Sequence, residues 1–284
     1  MASVSEQRIT SFDGLSLFLR IYEPCGTAAY PPVLCLPGLS RNGKDYHDLA
    51  VRLSAHRKVL CPDYRGVGRS AYANSHRSYC PQAWIADLRH LLGAINHHRV
   101  AVIGTSFGGI LAAAMAVAMP CAVAGVVLND IGPEVVPGGL KRVLAHIGTR
   151  HRLTDWAAAV DYLKKAFPNL PATSEERWLR IARNTFREQA GTLVNDWDTE
   201  ISKSVRQMSE QAPDLWPVFK ALARIPALCV RGEKSDILSE RTHRLMAGEI
   251  SGLGVITVPD VGHAPDLAEA CLADKIEAFL DASG

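Results

Sequence analysis

Short apolar runs alternate with helix-like patterns along most of the chain. Six mostly apolar runs occur, at residues 33–36, 58–61, 100–103, 123–128, 227–230 and 255–258. Runs of this length that end in turn-forming residues are typical of strands buried on both faces of a sheet. Between them, apolar residues recur every three or four positions, as over residues 84–95, which indicates helices with one buried face. The alternation predicts an α/β fold, with a mostly parallel sheet and helices on both of its faces.

Two parts of the chain depart from this alternation. Residues 9–22 contain two runs joined at Asp13-Gly14, which predicts an N-terminal β-hairpin. Residues 134–216 show helical periodicity, and we find no strand-like run among them. We therefore expect a core domain built from residues 1–133 and 217–284, interrupted by an all-helical insertion at residues 134–216.

Composition narrows the class of protein. The chain has 284 residues, of which 48% are hydrophobic and 21% are charged, and this suits a globular protein with a sizeable core. The net charge is +2 and no long run of Lys or Arg occurs, so we expect no nucleic-acid partner. The first residues lack an apolar signal segment, and no apolar stretch is long enough to span a membrane. We expect a cytoplasmic protein without membrane association, and the sequence carries no sign of its oligomeric state.

Cofactor and metal sites are not indicated. Gly66 and Gly68 lack the third glycine and the downstream acid of a dinucleotide-binding fingerprint. The adjacent His97 and His98 would point in different directions on a helix, so they would not form a metal pair there. The seven cysteines contain no C-x-x-C pair, and several lie in strand-like runs. We expect buried, reduced thiols in a reducing compartment, and neither a metal ion nor a cofactor.

The clearest chemical signal is the stretch Gly104-Thr105-Ser106-Phe107-Gly108. It lies between a predicted strand and a helical run of small residues. In a strand, turn and helix of this kind, G-x-S-x-G forms a nucleophile elbow, in which a strained turn projects the serine hydroxyl outward. The flanking glycines leave room where a Cβ would collide. We predict that Ser106 is a nucleophile, and an ordinary glycine-rich turn is the alternative.

Polar residues that follow other strands predict the partners of Ser106. In open α/β sheets, chemistry gathers at the carboxyl ends of the strands. Asp236 follows the run at 227–230, and His263 follows the run at 255–258. A serine hydroxyl needs a general base before it can attack a carbonyl, and His263 fits that role. Asp236 would hold the imidazole in the correct tautomer, although it could instead cap the helix that follows it.

The order of these motifs resembles that of the α/β-hydrolase family, and the resemblance covers nearly the whole chain. The matching residues are the elbow, the Gly232-x-x-x-Asp236 loop, Gly262-His263 near the end and Pro37-Gly38 after an early strand. Pro37 is a departure, because many members carry His at that position. The oxyanion hole of the family uses backbone donors, so this difference should not abolish it.

The resemblance implies a role for each matching residue. Ser106 would be the nucleophile, Asp236 the triad acid and His263 the base. The backbone amides of Leu39 and Phe107 would form the oxyanion hole. Asp130 is the rival acid, because it also follows a strand and some family members carry the carboxylate there. The insertion at residues 134–216 would be the cap that covers the site and shapes its pocket.

A few residues are candidates for substrate binding. Arg41 could bind a substrate carboxylate, although a surface arginine fits the sequence equally well. Trp156, Trp178 and Trp197 could serve as apolar platforms, and a place in the core of the cap is the alternative. A stripe of arginines within residues 177–187 lies opposite the apolar face of its predicted helix, so we expect it to face solvent.

The residues and the resemblance together predict a cofactor-independent serine hydrolase. We expect it to cleave a carboxylic ester of a small molecule through an acyl-enzyme. Lactone, thioester, amide and carbon–carbon bond hydrolysis remain open within this class. A cofactor-free oxygenase or lyase, or a receptor that binds a ligand with little turnover, are alternatives on the same fold.

Overall fold

The computed structural model describes residues 3–24, 26–171, 174–211 and 213–283. The strands in chain order are β1 (Ser3–Thr10), β2 (Ser16–Glu23), β3 (Val33–Leu36), β4 (Val59–Asp63), β5 (Val100–Thr105), β6 (Val123–Asn129), β7 (Arg152–Leu153), β8 (Phe186–Gln189), β9 (Thr192–Asn195), β10 (Ala227–Gly232) and β11 (Leu253–Val258). The helices are α1 (His47–Leu53), α2 (Pro81–Ala94), α3 (Phe107–Ala118), α4 (Pro137–Gly148), α5 (Trp156–Ala166), α6 (Glu175–Thr185), α7 (Ile201–Glu210), α8 (Trp216–Lys220), α9 (Glu240–Glu249) and α10 (Ala270–Ala282).

Eight of these strands form one sheet in the order β1-β2-β4-β3-β5-β6-β10-β11. β2 pairs antiparallel with both β1 and β4, whereas all neighbours from β4 to β11 are parallel. The predicted N-terminal hairpin is confirmed, and its strands pair from Ser3 opposite Glu23 to Thr10 opposite Ser16. The mostly parallel α/β sheet expected from the alternating pattern is therefore confirmed.

The sheet is buried on both faces because its central strands carry apolar residues at every position. Along β5, Val102 faces the side covered by α2 and α3, and its neighbours Ala101 and Ile103 face the side covered by α1 and α10. This alternation of faces is the two-residue period of a strand. Among the helices of the described ranges, none is long and apolar enough to cross a membrane.

The segment at residues 134–216, which we call the cap segment, lies in sequence between β6 and β10 of the large sheet. The expectation that it is all helical is wrong, because it also contains a three-stranded antiparallel sheet in the order β7-β9-β8. β8 and β9 are joined by Ala190 and Gly191, which have φ of 48° and 75°. Positive φ at both central residues is the geometry of a tight hairpin turn. These strands have two to four residues, which is too short for periodicity to separate them from the helices beside them.

The six described cysteines are free thiols, but they are not all buried. Cys35, Cys61 and Cys229 lie in the strands of the core, as expected. Cys121 and Cys271 are exposed and Cys80 is half-buried, so the expectation of burial is wrong for these three. Cys25 lies outside the described residues.

Candidate active site

The strand-to-helix turn at Ser106 has the geometry of a nucleophile elbow. β5 ends at Thr105 and α3 begins at Phe107, which leaves Ser106 alone between them. Its φ is 54° and its ψ is −121°, and a non-glycine residue held in such a conformation stores strain of roughly 1–3 kcal/mol. The turn is held in place by the backbone, because the Ser106 amide donates to the carbonyl of Asn129 at 2.9 Å. The side chain of Ser106 lines a cavity above the sheet.

The two glycines of the motif are required by close backbone contacts. A Cβ at Gly104 would lie 2.3 Å from the carbonyl oxygen of Gly108. A Cβ at Gly108 would lie 2.0 Å from the carbonyl oxygen of Leu36. Both obstacles are backbone atoms that cannot rotate away. The glycines therefore allow α3 to pack directly against the ends of β5 and β3.

Gly104→Ala is expected to destabilise the protein by about 3 kcal/mol or more, because the added methyl group overpacks this junction. Gly93→Ala is the matched control: Gly93 lies in α2, and a Cβ there would meet no atom within 4 Å. Since alanine favours helices over glycine, the control should be neutral or more stable by up to about 1 kcal/mol. Chemical denaturation of both variants measures the difference. Equal free energies of unfolding would show that the junction tolerates a side chain.

His263 is held by a buried carboxylate, and that carboxylate belongs to Asp130. Asp130 directly follows β6, is fully buried and has a φ of 58°. Its Oδ2 lies 2.8 Å from Nδ1 of His263. The same carboxylate accepts a hydrogen bond from the Gly232 amide at 2.9 Å and one from the Ser235 hydroxyl at 2.6 Å. These donors fix the carboxylate, so the imidazole of His263 has a defined orientation.

The expectation that Asp236 holds His263 is wrong. Both carboxylate oxygens of Asp236 accept hydrogen bonds from Arg142 of α4, at distances of 2.6 to 2.9 Å. The side chain of Asp236 is also 43% exposed. The loop after β10 therefore contributes donors to the buried acid through Gly232 and Ser235, and its own carboxylate pairs with the cap segment. Asp130, the rival acid in the sequence, occupies the position beside His263.

Two backbone amides near Ser106 are available as donors. Phe107 is the first residue of α3, and the first amides of a helix have no partner within the helix. Leu39 belongs to the loop after β3, and a Cβ at Gly38 in that loop would lie only 3.9 Å from the Cβ of Ser106. In the described ranges, neither the Leu39 nor the Phe107 amide has a hydrogen-bond acceptor. Both predicted oxyanion donors are therefore unpaired in the described ranges.

A cavity between the large sheet and the cap segment contains both Ser106 and His263. Much of its wall is apolar and comes from the cap segment. The apolar side chains that the cap segment contributes are Val143, Ile147, Leu163, Phe167, Leu170, Pro171 and Ile181. Such a wall suits the carbon skeleton of a small molecule. Within the described ranges, no three His, Cys, Asp or Glu side chains are grouped so that they could hold a metal ion.

The arginines at this cavity are paired with acids of the core. Arg41 lines the cavity, but its Nε and Nη2 each donate to Asp45 at 2.6 Å. Arg177 pairs with Asp266, and Arg180 pairs with Asp48. Both arginines line the cavity. The side chain of Arg180 is 52% exposed, in agreement with the expectation that the arginine stripe faces solvent, whereas that of Arg177 is only 20% exposed and does not fit it. Their ion pairs connect α6 to the core.

The three candidate tryptophans do not line the cavity. Trp178 and Trp197 are 8% and 1% exposed and belong to the apolar core of the cap segment. The Nε1 of Trp197 donates to the carbonyl of Ile147 at 2.9 Å. Trp156 packs at the edge of the same core and donates to Glu188. The geometry therefore supports the alternative, in which the three tryptophans pack in the core of the cap segment.

Asn129 and His146 are two of the cavity residues that were not identified from the sequence. Asn129, the last residue of β6, donates from Nδ2 to the carbonyl of Pro265 at 3.0 Å and to Thr105 at 3.2 Å. These hydrogen bonds connect the loop that carries His263 to the end of β5. The position of Asn129 at the end of a predicted strand could have identified it as a candidate site residue. His146 of α4 also lines the cavity, and no local pattern distinguishes it from any other helix residue.

An α/β fold of this topology with a serine elbow defines an α/β-fold hydrolase. The chain belongs to the alpha/beta hydrolase family, whose model matches residues 33–273. It is 30% identical over 258 residues to the 3-hydroxybutyrate-oligomer hydrolase of Cupriavidus necator, covering 87% of this chain and 88% of the relative. It is 25% identical to the 2-(acetamidomethylene)succinate hydrolase of Mesorhizobium japonicum, covering 89% of this chain and 88% of the relative.

Solved structures agree with this membership. An alpha/beta hydrolase from Novosphingobium aromaticivorans superimposes with a TM-score of 0.92 and is 40% identical, with 99% of each chain covered. The structure of E-2-(acetamidomethylene)succinate hydrolase superimposes with a TM-score of 0.83 at 22% identity, and it covers 98% of this chain and 100% of that one. At 22% identity, the second similarity shows a shared fold only. The protein is therefore a hydrolase of this family.

Proposed function

We propose that the protein is a cofactor-independent serine hydrolase that cleaves a carboxylic ester of a small molecule. Ser106 is the nucleophile, His263 the general base and Asp130 the acid that orients it. The observation that carries the proposal is the 2.8 Å contact between Asp130 and Nδ1 of His263, together with the cavity that Ser106 and His263 both line. A serine, a histidine and a buried carboxylate in this relation form the machinery of acyl transfer.

The first half of the reaction acylates Ser106. Its oxygen attacks the ester carbonyl carbon while its proton passes to Nε2 of His263. Negative charge develops on the carbonyl oxygen, and the amides of Leu39 and Phe107 stabilise it. The carbon–oxygen bond to the alcohol then breaks, and the alcohol leaves with the proton from His263. Asp130 stabilises the imidazolium that exists between these two proton transfers.

The second half releases the acid and restores the enzyme. A water molecule gives a proton to His263 as its oxygen attacks the acyl-enzyme carbonyl. The same two amides stabilise the second oxyanion. The bond to Ser106 then breaks, the serine oxygen regains the proton, and the carboxylic acid leaves. His263 accepts and donates each proton, so the reaction as written requires no metal ion or cofactor.

One of the relatives supports a carboxylic ester as the bond that is cleaved. The hydrolase of Cupriavidus necator is named for 3-hydroxybutyrate oligomers, in which hydroxy acids are joined by ester bonds. The apolar wall formed by Val143, Leu163 and Phe167 suits a short aliphatic chain. We therefore propose short aliphatic esters, including esters of hydroxy acids, as the substrate class.

A labelling experiment combined with a substrate panel tests the proposal. A fluorophosphonate probe should modify Ser106 stoichiometrically, as read by mass spectrometry of the labelled peptide. The panel contains p-nitrophenyl esters of increasing chain length, a 3-hydroxybutyrate dimer, lactones, thioesters, amides and a 1,3-diketone. We expect the highest kcat/KM among the short esters. Failure of the probe to modify Ser106, or exclusive cleavage of the diketone, would contradict the proposal.

A further inference from the structure

His146 is a buried histidine of the cap segment that lines the same cavity as Ser106 and His263. It lies on α4 and is 7% exposed. Aromatic rings surround it, with centroids at 5.0 Å for Phe167 and 4.8 Å for Trp197. The reaction described above does not use it. A buried polar ring in an otherwise apolar part of the cavity wall needs a reason, because an unpaired polar group is costly to bury.

The hydrogen bonding of His146 defines which of its nitrogens carries the proton. Nδ1 lies 2.7 Å from the hydroxyl of Tyr162. The Tyr162 hydroxyl contacts no other acceptor in the described ranges, so donation of its hydrogen to Nδ1 is the arrangement that pairs both groups within the protein. Nδ1 then uses its lone pair, and in a neutral imidazole the remaining hydrogen lies on Nε2.

The ring is neutral across the pH range in which such enzymes work. Burial lowers the pKa of His146 to about 3. The neighbouring His151, Arg41 and Arg142 act in the same direction, because each disfavours a second positive charge. A histidine with a lowered pKa is protonated only in strong acid, so at neutral pH Nε2–H is an uncharged hydrogen-bond donor.

Nε2 of His146 has no hydrogen-bond partner in the part of the chain that the structure describes, it is not among the fully buried side-chain atoms that lack a partner, and the residue lines the cavity. The apolar side chains that the cap segment contributes to the cavity include Val143 and Ile147 of the same helix, together with Leu163 and Phe167. None of these side chains can accept its hydrogen. A molecule in the cavity that brings an oxygen to Nε2 would satisfy the donor, whereas a purely aliphatic one would bury it unpaired.

We propose that Nε2–H of His146 binds an uncharged oxygen of the substrate, remote from the ester carbonyl that Ser106 attacks. The inference rests on the proposed function and adds a specificity to it: the enzyme prefers esters that carry a second acceptor, such as a ketone, an ester carbonyl or a hydroxyl. A site built to hydrogen-bond a substrate group discriminates against analogues that lack it.

Matched substrates test the preference. We would compare kcat/KM for p-nitrophenyl hexanoate with that for its 4-oxo and 5-oxo derivatives, which differ only in the second oxygen. The wild-type enzyme should favour at least one oxo ester by about 2- to 10-fold, the range expected for one neutral hydrogen bond. His146→Phe should remove this preference, and the change should appear in KM for the oxo esters. His151→Phe is the control, because His151 belongs to the same aromatic cluster but does not line the cavity.

Two further measurements keep the inference open to refutation if His146→Phe fails to fold. Tyr162→Phe removes the hydroxyl that fixes the tautomer and should weaken the oxo preference. ¹⁵N NMR of histidine-labelled wild-type protein should show His146 as the Nε2–H tautomer. A hydrogen on Nδ1, or an oxo preference that is unchanged in both His146→Phe and Tyr162→Phe, would overturn the inference. Equal rates for the three esters in the wild type would overturn this inference alone, whereas no cleavage of any ester would overturn the proposed function as well.

Discussion

Ser106→Ala is expected to lower kcat for ester hydrolysis by about 10⁴-fold or more, since the loss of a catalytic serine removes the covalent pathway altogether. The residual rate would come from the oxyanion donors and from binding alone. The substitution deletes only a hydroxyl, and alanine experiences the same backbone strain at a φ of 54° as serine does. Stability should therefore be nearly unchanged. Steady-state kinetics on the best p-nitrophenyl ester, together with thermal unfolding, measure both effects.

Ser54→Ala provides the control for the loss of a serine hydroxyl. Ser54 is buried at the end of α1 and donates to the carbonyl of Val51 at 2.7 Å. It does not line the cavity. The control should lose some stability, about 1 kcal/mol for one hydrogen bond, and keep its kcat. Fluorophosphonate labelling should disappear in Ser106→Ala and persist in Ser54→Ala. Hydrolysis by Ser106→Ala at the wild-type rate would place the nucleophile elsewhere.

The architecture of the core could be predicted because it depends on local patterns. The apolar runs that became β3, β5, β6 and β10 are buried along their whole length, so no polar residue interrupts the signal. The elbow could be predicted for the same reason, since Gly104, Ser106 and Gly108 are close in sequence and their contacts are local. Residues within a few positions of each other largely determine their own geometry.

The identity of the carboxylate beside His263 could not be decided locally. Asp130 and Asp236 both follow strands, and both strands end at the same edge of the sheet. The choice depends on contacts between distant parts of the chain. Arg142 of the cap segment pairs with Asp236, while Gly232 and Ser235 donate to Asp130. Neither interaction can be predicted from the spacing of residues along the sequence.

The residues of the cavity wall were predicted least well, because they too depend on contacts between distant parts of the chain. Which face of α6 contacts the core depends on how the cap segment docks, and Arg177 meets Asp266 only through that docking. The candidate tryptophans stabilise the inside of the cap segment, whereas His146 of α4 turns toward the cavity. The sequence could locate the reaction centre, but the residues that select the substrate follow from long-range packing.

Asp130→Asn is expected to lower kcat by about 10³- to 10⁴-fold, the loss seen when the acid of such a triad becomes an amide. The amide keeps the shape of the carboxylate but removes the charge that stabilises the imidazolium of His263. It also permits the wrong tautomer of the imidazole, because an Asn NH₂ group can donate to Nδ1. KM should change little, since Asp130 is fully buried and does not line the cavity.

Asp236→Asn is the matched variant that separates the two candidate acids. It weakens a partly exposed ion pair with Arg142, and such pairs contribute about 1 kcal/mol or less. We expect kcat within about threefold of the wild type and a slightly lower unfolding temperature. Kinetics of the two variants on one ester give the comparison directly. A large loss in Asp236→Asn with little loss in Asp130→Asn would move the acid to the loop after β10, and it would require that loop to rearrange around His263 during catalysis.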